Sequence, residues 1–197
     1  MADPHDELSH DDVLLLLAGC PERVADIAAG LDEARLRYRH GPAFPTLKEV
    51  IAHLAAASVA VDALLRRAHL DQVQEADVRA AIDPSAQTAE AGPPTEELLG
   101  DYVRIRRRTI DLLRGWGEAE WARSLRDPRL GELTLLEVGR TVAGHEVGHL
   151  TQLRNLIALV PEPTDLGEVR VAGAGLRPSA APEPAPPEAN GAEPQDS

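Results

Sequence analysis

The stretch Thr134-Leu135-Leu136-Glu137-Val138-Gly139-Arg140-Thr141-Val142-Ala143-Gly144-His145-Glu146-Val147-Gly148-His149-Leu150-Thr151-Gln152 decides the fold. Thr134 with Glu137 three residues later is the pattern of a capped helix start, each side chain covering the other's backbone N–H. Val138, Val142, His145, His149, Gln152, Leu156 and Leu159 then recur in alternating steps of four and three. That is the spacing of one helix face turned toward a bundle interior. On this reading both histidines and Gln152 lie on the buried face in mid-helix, and the helix ends before Pro161. Burying polar side chains is costly unless each has a partner. A divalent ion would satisfy two imidazoles at once, and neutral imidazole nitrogens suit zinc, nickel or a similar first-row metal. A pair four residues apart supplies two ligands from one helix, so a third must come from another.

His53 is the best candidate for that third ligand. It stands in Thr46-Leu47-Lys48-Glu49-Val50-Ile51-Ala52-His53-Leu54, where Thr46 and Glu49 again form a capping box. Ile51, Leu54, Ser58, Val61 and Leu65 make the seam of this helix, and His53 sits in its second turn, one position off that seam. His5, His10, His40 and His69 fall at termini, helix ends or loops and receive no role. Gln152, one turn beyond His149, is placed to orient a ligand through a hydrogen bond. Glu146 lies one step off the seam and is a second residue of the metal's surroundings. His145-Glu146-Val147-Gly148-His149 also fits H-E-x-x-H, the zinc-protease pattern. Its context argues against a protease. Asn155 stands where a metzincin carries another histidine, Glu162 and Glu168 follow Pro161 in a loop-like segment, and no strand is evident to bind a peptide.

Two further helices complete the pattern. The first runs from about Ser9 to Arg37 on a seam of Val13, Leu17, Cys20, Val24, Ile27 and Leu31, with Pro21 expected to kink or break it. Cys20 on that seam reads as a small buried apolar residue. The other spans Thr95 to about Gly115, with Leu98, Tyr102, Ile105, Thr109, Leu112 and Trp116 inward. The basic run Arg104 to Arg108 within it reads as a solvated face. A short link around Gly41 to Pro45 makes the first two helices antiparallel, whereas His69 to Pro94 is long enough to return the chain along the bundle. Part of that crossover, Asp71 to Ile82, reads as a short helix. The expected architecture is an all-α four-helix bundle over residues 9–165, with a long crossover between its second and third helices. A flexible N-terminus (1–8) precedes it. A Pro/Ala/Glu-rich acidic tail (166–197) follows it, too poor in large apolar residues to offset its ordering entropy.

The composition excludes several classes. A formal charge of −13 disfavours nucleic acid. The longest apolar run near the N-terminus, Val13 to Ala18, is too short to span a bilayer, and the acidic start lacks the basic region of a secretory signal. A single cysteine excludes an intrachain disulfide, which is compatible with the cytoplasm expected here.

The chain resembles the DinB-like superfamily of bacterial metal-binding bundles. Pro45-Thr46-Leu47-Lys48-Glu49-Val50-Ile51-Ala52-His53-Leu54-Ala55 is similar to that family's second-helix motif, with Pro45 in place of its usual Trp. Glu120-Trp121, Asp127-Pro128 and Gly131 to Leu135 look like its segment before the last helix, and His145 to Leu153 like its closing H-x-x-x-H-x-x-Q. The resemblance covers about residues 10–160. It implies an up-down-down-up bundle, His53, His145 and His149 as ligands to zinc, nickel or a similar ion, and a homodimer. Members with known chemistry include thiol S-transferases and isomerases that use low-molecular-weight thiols such as bacillithiol or mycothiol. The leading expectation is therefore a metal-dependent thiol S-transferase acting on a small-molecule substrate. The alternatives are a non-catalytic metal-binding bundle for stress response or interaction, and a metal-dependent hydrolase.

Overall fold

The computed structural model describes residues 7–70, 74–83 and 92–162. The chain divides into a unit Met1–Pro161 and a unit Glu162–Ser197, and the described helices and strands all belong to the first. The acidic tail expected over 166–197 lies outside the described residues.

Four long helices make the bundle: α1 (His10–Ala28), α3 (Leu47–His69), α5 (Thr95–Arg114) and α7 (Leu135–Ile157). Between them stand the short helices α2 (Glu33–Leu36), α4 (Val78–Ile82) and α6 (Glu118–Trp121), and a hairpin of β1 (Ser124–Asp127) with β2 (Gly131–Thr134). Both capping boxes form as read, Thr46 with Glu49 and Thr134 with Glu137. Residue pairs along the bundle fix the helix directions. Arg140 of α7 donates to Leu8 just before α1, and Gly139 packs beside Val13, so α1 and α7 run parallel. Glu33 ties Lys48 and Thr95 together at the starts of α3 and α5, and Asp62 meets Thr109 further along, so these two are also parallel. Leu47 and Val50 pack in one apolar cluster with Leu153 and Leu156, while Val61 and Leu65 share another with Leu135 and Val138. Helices α3 and α7 are therefore antiparallel, and the bundle is up-down-down-up.

The core is not continuous. One apolar cluster fills the end around Val13, Leu17, Val61, Leu65, Ile110, Leu113 and Val142. A second fills the end around Cys20, Val24, Leu54, Tyr102, Leu150 and Leu153. The residues that fall between the two along the helices are buried and polar: Ser58 on α3, Arg106 and Thr109 on α5, and Glu146 on α7. His145 and His149 stand at this polar waist, and His53 reaches them from the turn of α3 beside Leu54.

Several expectations change. The first helix runs through the buried Pro21 and breaks instead near Gly30, whose φ of +76° suits glycine. Arg106 is not on a solvated face; at 2% exposure it is among the largest fully buried side chains. The inward line of α5 is turned accordingly, to Tyr102, Arg106, Thr109, Ile110 and Leu113, with Ile105 and Leu112 half-buried. The crossover helix is confined to Val78–Ile82. Before it, the chain pairs with β1: Ala76 N–H donates to Arg126 and Arg126 N–H to Gln74. The hairpin stands before the last helix, where no strand was evident in the sequence; Gly131, at φ +86°, turns it. No helix among the described residues is long and apolar enough to cross a membrane.

Candidate metal centre

His53 comes from the second turn of α3, and His145 and His149 from successive turns of α7. Because α3 and α7 are antiparallel neighbours, the three imidazoles meet. The Nε2 atom of His145 lies 3.0 Å from that of His53 and 3.0 Å from that of His149. One ligand atom from each residue falls within 4.8 Å of the others. All three residues are half-buried, His53 at 15% side-chain exposure, so the cluster sits on the rim of the waist with a path to solvent. Here the structure corrects the sequence reading of α7. The most buried line of that helix is Val142, Ala143, Glu146, Leu150 and Leu153, and His145, His149 and Gln152 border it.

The far nitrogens explain why the Nε2 atoms converge. The Nδ1 atom of His149 stands 2.8 Å from the Oε1 of Gln152. A carbonyl oxygen only accepts, so Nδ1 carries the hydrogen and Nε2 presents a lone pair. The Nδ1 of His53 faces Asp83, at the end of α4, 4.0 Å away. Burial, together with His149 and His53 and then Arg106, holds His145 down to about 3. Burial and then His149 lower His53, against the pull of Asp83. Both rings are therefore neutral at pH 7, the form that ligates metal. A hydrogen shared between two of these nitrogens at 3.0 Å would satisfy one pair, whereas a cation between them would satisfy all three lone pairs at once. Three neutral imidazole nitrogens gathered this closely would suit a divalent first-row ion, with positions left open for water or substrate.

Glu146 does not join the histidines. It is 2% exposed and its Oε1 accepts from Nη2 of Arg106, inside the bundle. Burial raises its carboxyl, while Arg106, Tyr102 and Cys20 draw it back down. Cys20 is buried beside it, its thiol pushed up to about 12 by burial and then by Glu146. The H-E-x-x-H pattern thus fails structurally: its glutamate is committed to an arginine and cannot reach a water at the histidines. Sequence reasoning missed Arg106 and Asp83. Arg106 was within reach, because it lies four residues after Tyr102 on the same helix face. Asp83 carried no such signal, since only the crossover's path brings it near His53.

Fold and site together define a helical bundle built round a histidine triad. The chain belongs to the DinB superfamily, whose family model matches residues 16–153, a span that contains all three histidines. Among solved structures it is similar to YfiT from Bacillus subtilis, described as a probable metal-dependent hydrolase with an unusual four-helix bundle topology. The two share 17% identity with a TM-score of 0.65, over 79% of this chain and 91% of that one. This likeness is one of fold. No curated protein matches the chain in sequence.

Proposed function

We propose that His53, His145 and His149 hold a divalent transition metal and that the protein is a metal-dependent thiol S-transferase. The observation that carries the metal reading is the convergence of Nε2 atoms at 3.0 Å spacing, with the Nδ1 of His149 bonded away to Gln152. Three imidazole ligands with positions left open suit zinc, nickel or a similar first-row ion. A bound divalent ion supplies a Lewis acid that deprotonates a coordinating thiol or water near neutral pH.

Chain residues favour the thiol over water. Hydrolysis needs a group to deliver a proton to the leaving atom, and the carboxylate nearest in sequence, Glu146, is turned inward to Arg106. Asp83 is the one carboxylate the described residues place beside the cluster, and it faces the Nδ1 of His53. Thiol transfer to an electrophile requires no such proton donor once the thiol is ionised. The hydrolase reading is kept as the rival because the structurally similar YfiT carries that description.

Elemental analysis of the purified protein beside a His145→Ala variant tests the site. About one transition-metal ion per chain, lost in the variant, is expected for a triad that closes round a single ion. The metal-replete protein is then assayed with a panel of low-molecular-weight thiols and an aryl halide, and separately with activated esters. Thiol conjugation that follows metal occupancy supports the transferase. Ester turnover without conjugation would replace it with the hydrolase, and neither activity would leave a non-catalytic metal-binding bundle.

A further inference from the structure

We infer that the Arg106–Glu146 pair is the positioning device of the histidine centre: it sets the rotation of α7 so that His145 and His149 meet His53. The inference rests on reading those histidines as metal ligands.

Glu146 follows His145 directly, so their side chains leave α7 about 100° apart. One points to the rim and the other to the interior. Both members of the pair are 2% exposed, and they join α5 to α7 at the waist where the two apolar clusters stop. Arg106 is held from a second side by Tyr102, whose ring centroid lies 6.0 Å from its guanidinium carbon. Cys20 of α1 completes the surroundings of Glu146. Three helices are thus registered on one carboxylate.

The apolar packing of α7 is less suited to that task. Val142 and Leu150 stand one turn to either side of Glu146, and between Ala143 and Leu150 Glu146 is the one buried residue of the helix. Precision matters here. The ring nitrogens of His145 and His149 lie about 6–7 Å from the helix axis, so a rotation of about 15° displaces them by roughly 2 Å. Metal–ligand distances tolerate about 0.2 Å. A directional charged hydrogen bond restrains rotation more sharply than non-directional aliphatic contact. Fixing register is the best-attested use of buried ionic groups, whose net contribution to stability is otherwise small.

The test compares Co2+ affinity, the Co2+ absorption spectrum and the melting temperature in wild type, E146Q, R106M, E146L and the double variant R106M/E146L. The double variant removes both charges and leaves an apolar waist, so it is expected to melt at or above the wild-type temperature. Its Co2+ affinity should nevertheless fall 10–100-fold, the usual effect of losing an outer support of a metal ligand, with a changed spectrum. E146Q, which keeps an acceptor for Arg106, should bind Co2+ more tightly than E146L. A double variant that regains wild-type stability together with wild-type affinity and spectrum would overturn the proposal, since the pair would then only support the fold. Wild-type protein that takes up no Co2+ would instead overturn the metal reading itself, and the positioning role with it.

Discussion

The Nδ1 atom of His149 and the Oε1 atom of Gln152 lie 2.8 Å apart on consecutive turns of one helix. The bond settles which ring nitrogen is left to face His145 and His53, and it restrains the ring against swinging toward solvent. A leucine at 152 removes the acceptor and leaves the helix intact. Gln152→Leu is therefore expected to weaken metal binding roughly 10–100-fold with little change in melting temperature. Gln152→Glu, which still offers an oxygen to Nδ1, should retain most of the affinity. A chelator-competition titration measures both, and equal affinities for wild type and the leucine variant would remove Gln152 from the site.

Glu33 holds together the end of the bundle where α3 and α5 begin. Its Oε1 accepts from the Thr95 backbone N–H at 2.6 Å, covering the start of α5, where Pro94 supplies no cap. Its Oε2 accepts from Arg37 and from Lys48, an ammonium that is 1% exposed. The Thr95 N–H above all holds the Glu33 carboxyl down to about 2, against an ordinary value of 4.5. A depressed folded value means that this contribution is present above about pH 4.5 and is lost as pH falls toward 2. Glu33 is itself 43% exposed, so the loss in Glu33→Gln is expected to be about 1–2 kcal/mol after allowance for solvent screening. The stability gap between wild type and Glu33→Gln, followed by denaturant melts from pH 6 to pH 2.5, should narrow as the acid range is entered. A gap that stays constant would exclude the linkage.

Most of the bundle is legible in the sequence, because helix faces announce themselves by period and capping residues by type. Thr46 with Glu49 and Thr134 with Glu137 start their helices where read, and the length of the crossover gives the topology. What fails is rotation. A seam drawn through Val138, Val142, His145 and His149 takes in two rim residues and leaves out Glu146. The error is one residue, about 100° on a helix. Polarity misleads there: Glu146 and Arg106 look like surface residues until each is seen to supply the other's charge. Such a pairing joins residues forty positions apart and leaves no local periodic trace. Gly30, rather than Pro21, ends the first helix because a proline costs a helix one hydrogen bond, whereas a left-handed glycine redirects the chain.

Asp127 connects the hairpin to the crossover. It is 1% exposed and accepts from the backbone N–H groups of Val78, Arg129 and Leu130, at 2.7, 2.8 and 2.8 Å. Burial opposes its charge, but those donors, with Arg129, hold its carboxyl below the usual range. Asp127→Ala would orphan all three donors and is expected to cost about 2–5 kcal/mol. The damage should centre on α4, whose first residue Val78 loses its partner. Hydrogen exchange read on α4 and the hairpin should quicken more than on α3 or α7. A uniform increase over all helices would mean that Asp127 supports the whole fold and not this junction.

Two glycines of α7 call for opposite outcomes from the same substitution. At Gly139 an added Cβ would meet Val13 Cγ1 at 3.1 Å and Trp121 Cζ3 at 3.3 Å, where α1, α6 and α7 press together. Val13 and Trp121 are themselves buried and have little room to yield. Gly139→Ala is expected to destabilise by about 1–3 kcal/mol through overpacking. At Gly148 the same Cβ meets nothing within 4 Å, and the position is exposed in mid-helix. Replacing a helical glycine there by alanine reduces the freedom of the unfolded chain without a clash, so Gly148→Ala should stabilise by about 0.5–1 kcal/mol. Thermal melts of the two variants, taken with and without metal, check the pair. A destabilised Gly148→Ala would show that this face of α7 is covered by something in solution, because the described residues leave it open.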